Sequence, residues 1–435
     1  MHRFYSILPW LLLIFIFSCP MSTAAKNSTI GTSPSQDTIL MQSPITAHLV
    51  EQPAQALEVW RSFQEERPTL VMLSHNPSLQ PIPDALINAV QNSLASETAQ
   101  VLNEKVSFMN PDPLLLPSMA LSGALQTKLF SRVVWVFPSE QNEDTLDLET
   151  FRRQLLTLGA ISSAEAATLT RDGSGFAGIL RNTPFQAVPH TSLPELNGPV
   201  LLHIDLEYFK PLYKGEIKTR LYKLLYATMG ALREQSLATR AVTISYSNIS
   251  GALPLSVRFI GPVLAELIRQ PALLNQALPV YWSRHSNALY LPIFFQSENV
   301  KQLYLEMEDE RPDDPAVKYG LYQASRQLKD GAKALDYLAQ AVEIDTTYAY
   351  EYLNLASVAA DQELPDQALR MVQLIDVTLP GNPFITLELA RAMIAAGQGA
   401  GARLLLQKLQ SLNWSKAYYP GMPAYLQQLL DTTTE

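Results

Sequence analysis

Two carboxylates and two histidines are the side chains of this chain best suited to chemistry. Asp205 and Glu207 stand two positions apart at the end of an apolar run, 200–205, so on an extended strand their side chains would project to the same side. Carboxylate and imidazole groups at the carboxyl end of a parallel strand suit a divalent metal ion. His203, within the same run, and His75, after an earlier run, are the available imidazoles. The sequence therefore offers one candidate metal site, built from Asp205, Glu207 and either histidine.

A purely structural role also explains these residues. Asp205 and Glu207 can instead cap or salt-bridge the loop after the strand, and a histidine inside an apolar strand, such as His203, is more often a hydrogen-bonded core residue than a ligand. The sequence contains no Ser–His–Asp order, Cys–His pair or phosphate-binding glycine loop that would indicate another chemistry. No catalytic residue is therefore assigned, and no cofactor is expected, the alternative being one divalent metal.

The elements that would position these residues alternate along the chain. Short apolar runs are typical of strands buried on both faces; they cover 69–74, 132–137, 200–205 and 241–245. The segments before, between and after them are predicted to be helices; they cover 55–66, 84–95, 148–158, 219–235 and 255–269. This alternation predicts an α/β three-layer domain with a mostly parallel sheet over residues 46–300.

The strand around Asp205 resembles the metal-binding strand of the arginase/deacetylase superfamily. His-Ile-Asp-Leu-Glu-Tyr-Phe at 203–209 is similar to Asp-Ile-Asp-Leu-Asp-Tyr-Phe in one branch of that superfamily. The runs at 132–137 and 241–245 are also similar to strands of that branch. The resemblance extends over residues 65–275 and implies an arginase-like (ureohydrolase-like) fold.

The same resemblance implies that the family's binuclear site has degenerated. The second family motif, Asp-Ala-His-x-Asp-Leu, aligns with Ser-His-Asn-Pro-Ser-Leu at 74–79, where serines replace both aspartates. In the later strand, His203 and Glu207 stand where the family has aspartates. Two divalent ions would leave a strong positive charge uncompensated. The domain is therefore expected to be non-catalytic; the alternative is a metal-dependent hydrolase of amide or guanidinium C–N bonds with one ion at Asp205.

A 34-residue period governs the last third of the chain. Alanines recur at this interval, namely Ala334, Ala368 and Ala402 and, in the other helix of each pair, Ala356 and Ala390. The segment 334–346 resembles the second helix and exit turn of the tetratricopeptide (TPR) family, whose repeats are pairs of closely crossing helices. Residues 312–432 are therefore predicted to form three such repeats, with a capping helix at 423–430.

The TPR resemblance also implies a binding surface. In that family the first helix of each repeat lines a concave groove for peptides or partner domains, so a protein partner is expected here. Packing of the same residues against the α/β domain is the alternative. The groove residues implied by the resemblance are Tyr319, Gln323, Arg326, Tyr350, Leu353, Ser357, Phe384, Leu387 and Arg391.

The net charge limits the class of binding partner, and the N-terminal residues indicate the cellular compartment. The 435 residues carry a net charge of −9 without a basic stripe, which disfavours nucleic acid. Residues 1–24 begin with Arg3, continue with an apolar core and end in small residues, the order of a secretory signal. Residues 25–45 are mostly polar and are predicted to be a flexible linker.

These features predict an exported protein-interaction scaffold, periplasmic or envelope-associated. Cys19, the single cysteine, follows Ile-Phe-Ser in a loose lipoprotein box and is a candidate for lipidation. Ordinary cleavage after Ala24 or Ala25 is the expected processing, and lipidation of Cys19 and an uncleaved anchor are the alternatives. Contact with a membrane is expected only through the signal segment or a lipid on Cys19.

Overall fold

The computed structural model describes residues 38–139, 147–189, 192–249 and 253–433. The predicted signal segment, Cys19 and most of the predicted linker lie outside these residues. The described residues belong to a single unit, in which a mixed α/β region is followed by paired helices.

Eight strands of the described chain form one mixed sheet. They are β1 (Ala47–Val50), β2 (Thr69–Leu73), β3 (Arg132–Phe137), β4 (Thr170–Asp172), β5 (Gly175–Leu180), β6 (Thr183–Pro189), β7 (Val200–Asp205) and β8 (Thr239–Ser245). Their order across the sheet is β1-β8-β7-β2-β3-β6-β5-β4. The first six strands in this order are parallel, and β5 and β4 are antiparallel to their neighbours.

The described residues also contain seventeen α-helices. In the α/β region they are α1 (Ala56–Arg61), α2 (Asp84–Ser96), α3 (Ala99–Lys105), α4 (Ala120–Gln126), α5 (Leu148–Thr157), α6 (Ser163–Thr168), α7 (Leu221–Glu234) and α8 (Ile260–Arg269). The paired helices that follow are α9 (Val280–Tyr290), α10 (Ser297–Glu310), α11 (Pro315–Gln327), α12 (Gly331–Ile344), α13 (Tyr350–Asp361), α14 (Pro365–Thr378), α15 (Pro383–Ala395), α16 (Gly399–Gln410) and α17 (Met422–Thr432).

Alternate residues of the central strands enter two different hydrophobic clusters. Val71 and Leu73 of β2 pack in one cluster with residues of α7 to α10. Leu70 and Met72 pack in the other with residues of α1 to α5. Because successive strand residues point to opposite faces of a sheet, β2 is buried on both faces, as its continuous apolar run predicts.

Four strands, β1 and β4 to β6, are absent from the sequence prediction. The hairpin β5–β6 turns at Arg181 and Asn182, whose φ values of 47° and 62° are left-handed, and Arg-Asn is a weak signal for such a turn. Glycine at 175 breaks the apolar alternation of β5, yet the close approach of β6 requires it, because a Cβ there would lie 2.3 Å from the carbonyl oxygen of Ala187.

The paired helices keep the period read from the sequence. Helices α12, α14 and α16 begin 34 residues apart, and the alanines at their contacts, Ala334, Ala368 and Ala402, are all buried. Proline at the first position of α11, α14 and α15 suits a helix start, and the Asn382 side chain caps α15. The described helices α11 to α17 therefore form TPR-like repeats followed by a final helix.

The α/β region and the repeats share one core. Val317 and Leu321 of α11 belong to the same hydrophobic cluster as β2 and β7, together with Tyr304 of α10. The described end of the predicted linker, 38–45, is also packed, because Leu40 and Met41 are buried there. Within the described residues, no helix has both the length and the hydrophobicity needed to cross a bilayer.

Candidate functional site

Asp205 lies at the last position of β7, at the carboxyl edge of the sheet. The chain then turns, and residues 206–209 form a short 3-10 helix that the Asp205 side chain caps, accepting a hydrogen bond of 2.8 Å from the Glu207 backbone N–H. Glu207 therefore lies on the turn and not on the strand, so the same-side spacing of an extended strand does not apply to this pair. Asp205 thus caps the loop after the strand, which is the structural alternative stated for it in the sequence analysis.

The carboxylate of Asp205 is buried and fully hydrogen-bonded. The register of the sheet places Ser245 of β8 beside it. The hydroxyls of Ser245 and Ser247 each donate to Oδ2 at 2.8 Å, and Oδ1 accepts the Glu207 N–H. Burial, and then the nearby Glu207 carboxylate, raise the pKa of Asp205 to about 6, although its hydrogen bonds oppose the rise.

A chain of buried hydrogen bonds connects Asp205 to His203. Nδ1 of His203 lies 2.9 Å from the hydroxyl of Thr243, which accepts from the Trp60 indole N–H at 3.2 Å, and Nε2 lies 3.4 Å from the hydroxyl of Ser245. Burial lowers the pKa of His203 to about 3, so the ring is neutral. If the neutral ring is protonated on Nε2, each of these groups has a hydrogen-bond partner. The Trp60 N–H donates to Thr243, whose hydroxyl donates to Nδ1 of the ring. The Nε2–H donates to Ser245, whose hydroxyl donates to Asp205.

In the described structure the residues of the predicted metal site make other contacts or lie elsewhere. Both oxygens of Asp205 already accept protein hydrogen bonds, both ring nitrogens of His203 face hydroxyls, and His75 is exposed on the loop after β2. Among the described residues, no group of three or more His, Cys, Asp and Glu side chains is arranged to hold a metal. The hydroxyl of Ser74, at the neighbouring strand end, is buried and has no hydrogen-bond partner in the described chain. The arrangement is that of a hydrogen-bonded strand junction.

The TPR-like helices form a large cavity on the described surface. A cavity of about 890 Å³ is bounded by the later residues of α13, the turn after it, the start of α14 and the later residues of α15. Three of the groove residues implied by the TPR resemblance, Leu353, Ser357 and Arg391, line it. We call this cavity the open groove.

A segment of the α/β region covers the neighbouring part of the same helices. Residues 106–117, here named the covering segment, line a cavity of about 350 Å³ together with the predicted groove residues Tyr350, Leu353, Phe384 and Leu387. Leu353 and Glu388 line both this cavity and the open groove. The early residues of α13 and α15 are thus covered, while their later residues remain open.

Polar contacts hold the covering segment against the repeats. The carbonyl of Pro111 accepts from the Ser415 N–H at 3.0 Å, and the carbonyl of Leu114 accepts from the Tyr418 hydroxyl at 3.2 Å. The Asn413 side chain donates to Asp112 at 2.7 Å. No periodicity marks this irregular segment in the sequence, so the sequence prediction does not include it. Packing against the α/β region, the alternative left open above, therefore accounts for part of the predicted groove.

The remaining predicted groove residues lie in the first repeat, away from the open groove. Gln323 and Arg326 line a separate cavity of about 530 Å³. Tyr319 is buried, and its hydroxyl donates to Glu351 at 3.0 Å, as that of Tyr322 does at 2.7 Å. Glu351 is a buried carboxylate that joins α11 to α13. In the sequence, the tyrosines at 319 and 322 are the one indication of this contact.

Comparisons with known proteins carry no argument for the repeat assignment. No protein-family model and no curated protein sequence matches the chain. Among solved structures, the chain is similar to a kinesin light chain of Podosopora anserina with nearly identical TPR-like repeats, and to a single-substitution variant of that protein. For both, identity is 19%, coverage is 35% of this chain and 92% of the other, and the TM-score is 0.21. The repeat class rests on this chain's own helix spacing and buried alanines.

Proposed function

We propose that this protein is an interaction scaffold that binds a protein partner through the open groove. The observation that carries the proposal is the cavity of about 890 Å³ between α13, α14 and α15. It is concave, accessible and formed by TPR-like repeats, which are built to present such surfaces. The partner is expected to be a protein because the cavity is a groove along several helices.

Site-specific photocrosslinking tests this proposal. The photoreactive residue p-benzoylphenylalanine is introduced at Ser357, an exposed position in the open groove, and at Val377, an exposed position of α14 that does not line it. In cell extract of the source organism, the Ser357 probe should give a discrete protein adduct that the Val377 probe does not give. Identical adduct patterns at the two positions would count against groove binding.

We also propose that the α/β region is a degenerate arginase-like, three-layer domain without catalysis. Its support is the adjacency of Ser74 and Asp205, which follow the paired residues Leu73 and Ile204 of β2 and β7. The two segments that resemble the family's motifs therefore end at the same edge of the sheet. Hydrophobic clusters on both faces of β2 support the layered arrangement.

Restoring the missing ligands tests this ancestry. The triple variant Ser74→Asp, Asn76→His, Ser78→Asp returns the family's metal ligands to the segment after β2, and Mn²⁺ binding is measured by calorimetry. We expect affinity that the natural protein lacks and that the further change Asp205→Ala removes. A triple variant that folds but binds no Mn²⁺ would argue against arginase-like geometry, and stoichiometric metal in the natural protein, lost on Asp205→Ala, would revive the hydrolase alternative.

Export and anchoring form the last part of the proposal. The support is the N-terminal sequence, with its apolar core and small residues before position 25. The mass of the mature N-terminus separates cleavage at Cys19 from cleavage near Ala24. Cys19→Ser should leave membrane association unchanged if the protein is not lipidated, and should release it from the membrane fraction if it is.

A further inference from the structure

The walls of the open groove differ in charge from its floor. The floor consists mainly of small or apolar side chains, among them Ala356, Ala368 and Val372. Three carboxylates, Asp361, Glu363 and Glu388, line the same cavity, and Arg391 is the single basic residue among its lining residues. The groove therefore combines an apolar base with an acidic border.

Two of these carboxylates have no partner to neutralise them. Arg391 pairs with Glu388, donating hydrogen bonds of 2.9 and 3.1 Å to its two oxygens. Asp361 and Glu363 are exposed and make no ion pair within the described chain. Two negative charges in a concave surface attract cationic ligands more strongly than the same charges on a convex surface, because the low-dielectric walls concentrate the field.

The covering segment lies beside the open groove. Together with the early residues of α13 and α15 it lines the neighbouring cavity. The open strip beside it has an alanine-rich floor, which lets a backbone approach closely. A second irregular segment lying next to the covering segment fits this space.

Building on the proposed function, we infer that the partner presents to the open groove a short, irregular segment with small apolar side chains and at least two lysines or arginines. The apolar side chains contact the floor at Ala356 and Val372. The basic side chains lie against Asp361 and Glu363. The ligand is thus a basic peptide. The acidic border selects its charge, and the floor selects small apolar side chains.

Selection from a random dodecapeptide phage library against the full chain tests this inference. Enriched peptides should be basic, and the best one, synthesised with a fluorescent label, should bind in an anisotropy titration. The charge-reversed variant Asp361→Lys, Glu363→Lys should weaken binding by about tenfold or more, and added salt should weaken binding to the natural protein. The matched control, Asp336→Lys, Glu343→Lys, makes the same charge change on exposed residues of α12 outside the groove and should change affinity less than about twofold.

The outcomes separate this inference from the proposed function. Enrichment of neutral or acidic peptides, equal binding by the charge-reversed variant, or no enrichment overturns the basic-peptide inference. If the Ser357 crosslink still captures a partner, the scaffold proposal stands while its charge preference is wrong. If neither the library nor the crosslink yields a ligand, both proposals fail.

Discussion

Asp205 shows how a buried carboxylate can be held without a counter-ion. Three donors satisfy its oxygens, namely the hydroxyls of Ser245 in β8 and Ser247 just after it and the N–H of Glu207 in the turn after β7, yet burial still raises its pKa to about 6. A buried carboxylate usually requires such hydrogen bonds to remain in the fold. The residue that looks most like a metal ligand in the sequence thus acts as the connection between two strands and a turn.

Replacing Asp205 by asparagine should change how stability depends on pH. Between pH 3.8 and about 6, native Asp205 keeps a proton that the unfolded chain has lost, so the natural protein loses stability as pH rises through this window. The loss corresponds to roughly 3 kcal/mol, and Asp205→Asn cannot undergo it. The stability of the natural protein relative to the variant should therefore fall between pH 4 and pH 7. Urea unfolding from pH 4 to 7 measures this; a constant difference would contradict it.

At the scale of elements, helix contacts depend on small residues in specific places. Gly320 of α11 faces Tyr304 of α10, and a Cβ added to the glycine would lie 2.3 Å from the tyrosine ring. The ring fills the space that an alanine or larger residue would need. This contact attaches the first repeat to the helical pair that precedes it.

Gly320→Ala should therefore destabilise the protein despite the better helix propensity of alanine. Overpacking of this kind costs about 2 kcal/mol, and Tyr304→Leu in the same chain should relieve part of it. The matched control is Gly230→Ala in α7, where nothing lies within 4 Å of the added Cβ; that change should stabilise by up to about 1 kcal/mol. Thermal and urea unfolding measure both effects. Equal effects of the two substitutions would show that the α10–α11 contact is looser than described.

At the scale of the whole molecule, Arg258 joins the α/β region to the repeats. It donates 2.9 Å and 2.6 Å hydrogen bonds to Glu51, after β1, and to Asp345, after α12. Its guanidinium group also lies 3.9 Å from the ring centre of Tyr246. Burial lowers the pKa of Arg258, but the two carboxylates outweigh it and raise the pKa overall, so the side chain stays charged.

Arg258→Met should weaken this joint strongly. Its side chain is 7% exposed and the two carboxylates are about a quarter exposed, so its loss leaves two partly buried negative charges without a partner. The expected cost is about 3 kcal/mol, toward the lower end for a broken buried pair because the carboxylates reach water. Arg269→Met, at the last position of α8 and 65% exposed, is the control and should cost under about 0.5 kcal/mol. Similar losses for both arginines in urea unfolding would refute the role of the joint.

The covering segment provides a test of the second contact between the two regions. Asn413→Ala combined with Tyr418→Phe removes two of its hydrogen bonds to the repeats. Cleavage within residues 106–117 by a limiting amount of protease should then be roughly fivefold faster, the equivalent of about 1 kcal/mol of easier local opening. Tyr425→Phe, a partly exposed position away from the segment, should leave cleavage unchanged. Unchanged cleavage in the double variant would mean that packing alone holds the segment.

The sequence by itself determined the elements whose burial has a simple period. Continuous apolar runs located β2, β3, β7 and β8, and the 34-residue spacing of alanines located the repeats. Periodicity reports which face of an element is buried, and these elements are buried in the simplest ways: on both faces, or along one stripe. Periodicity did not locate the antiparallel edge of the sheet. Because β5 needs a glycine for the close approach of β6, its sequence lacks a strand pattern.

Only the tertiary structure decided which surfaces meet. The hydrogen bond from Ser415 to Pro111 joins residues about 300 positions apart, and so does the one from Asn413 to Asp112. No local pattern encodes such a pairing, since the covering segment is irregular and its partners lie beyond the last repeat. Likewise, whether Asp205 binds an ion or two serines depends on the register between β7 and β8. Element identity is a local property of the chain, whereas the shape and charge of the groove arise from contacts between distant parts of it.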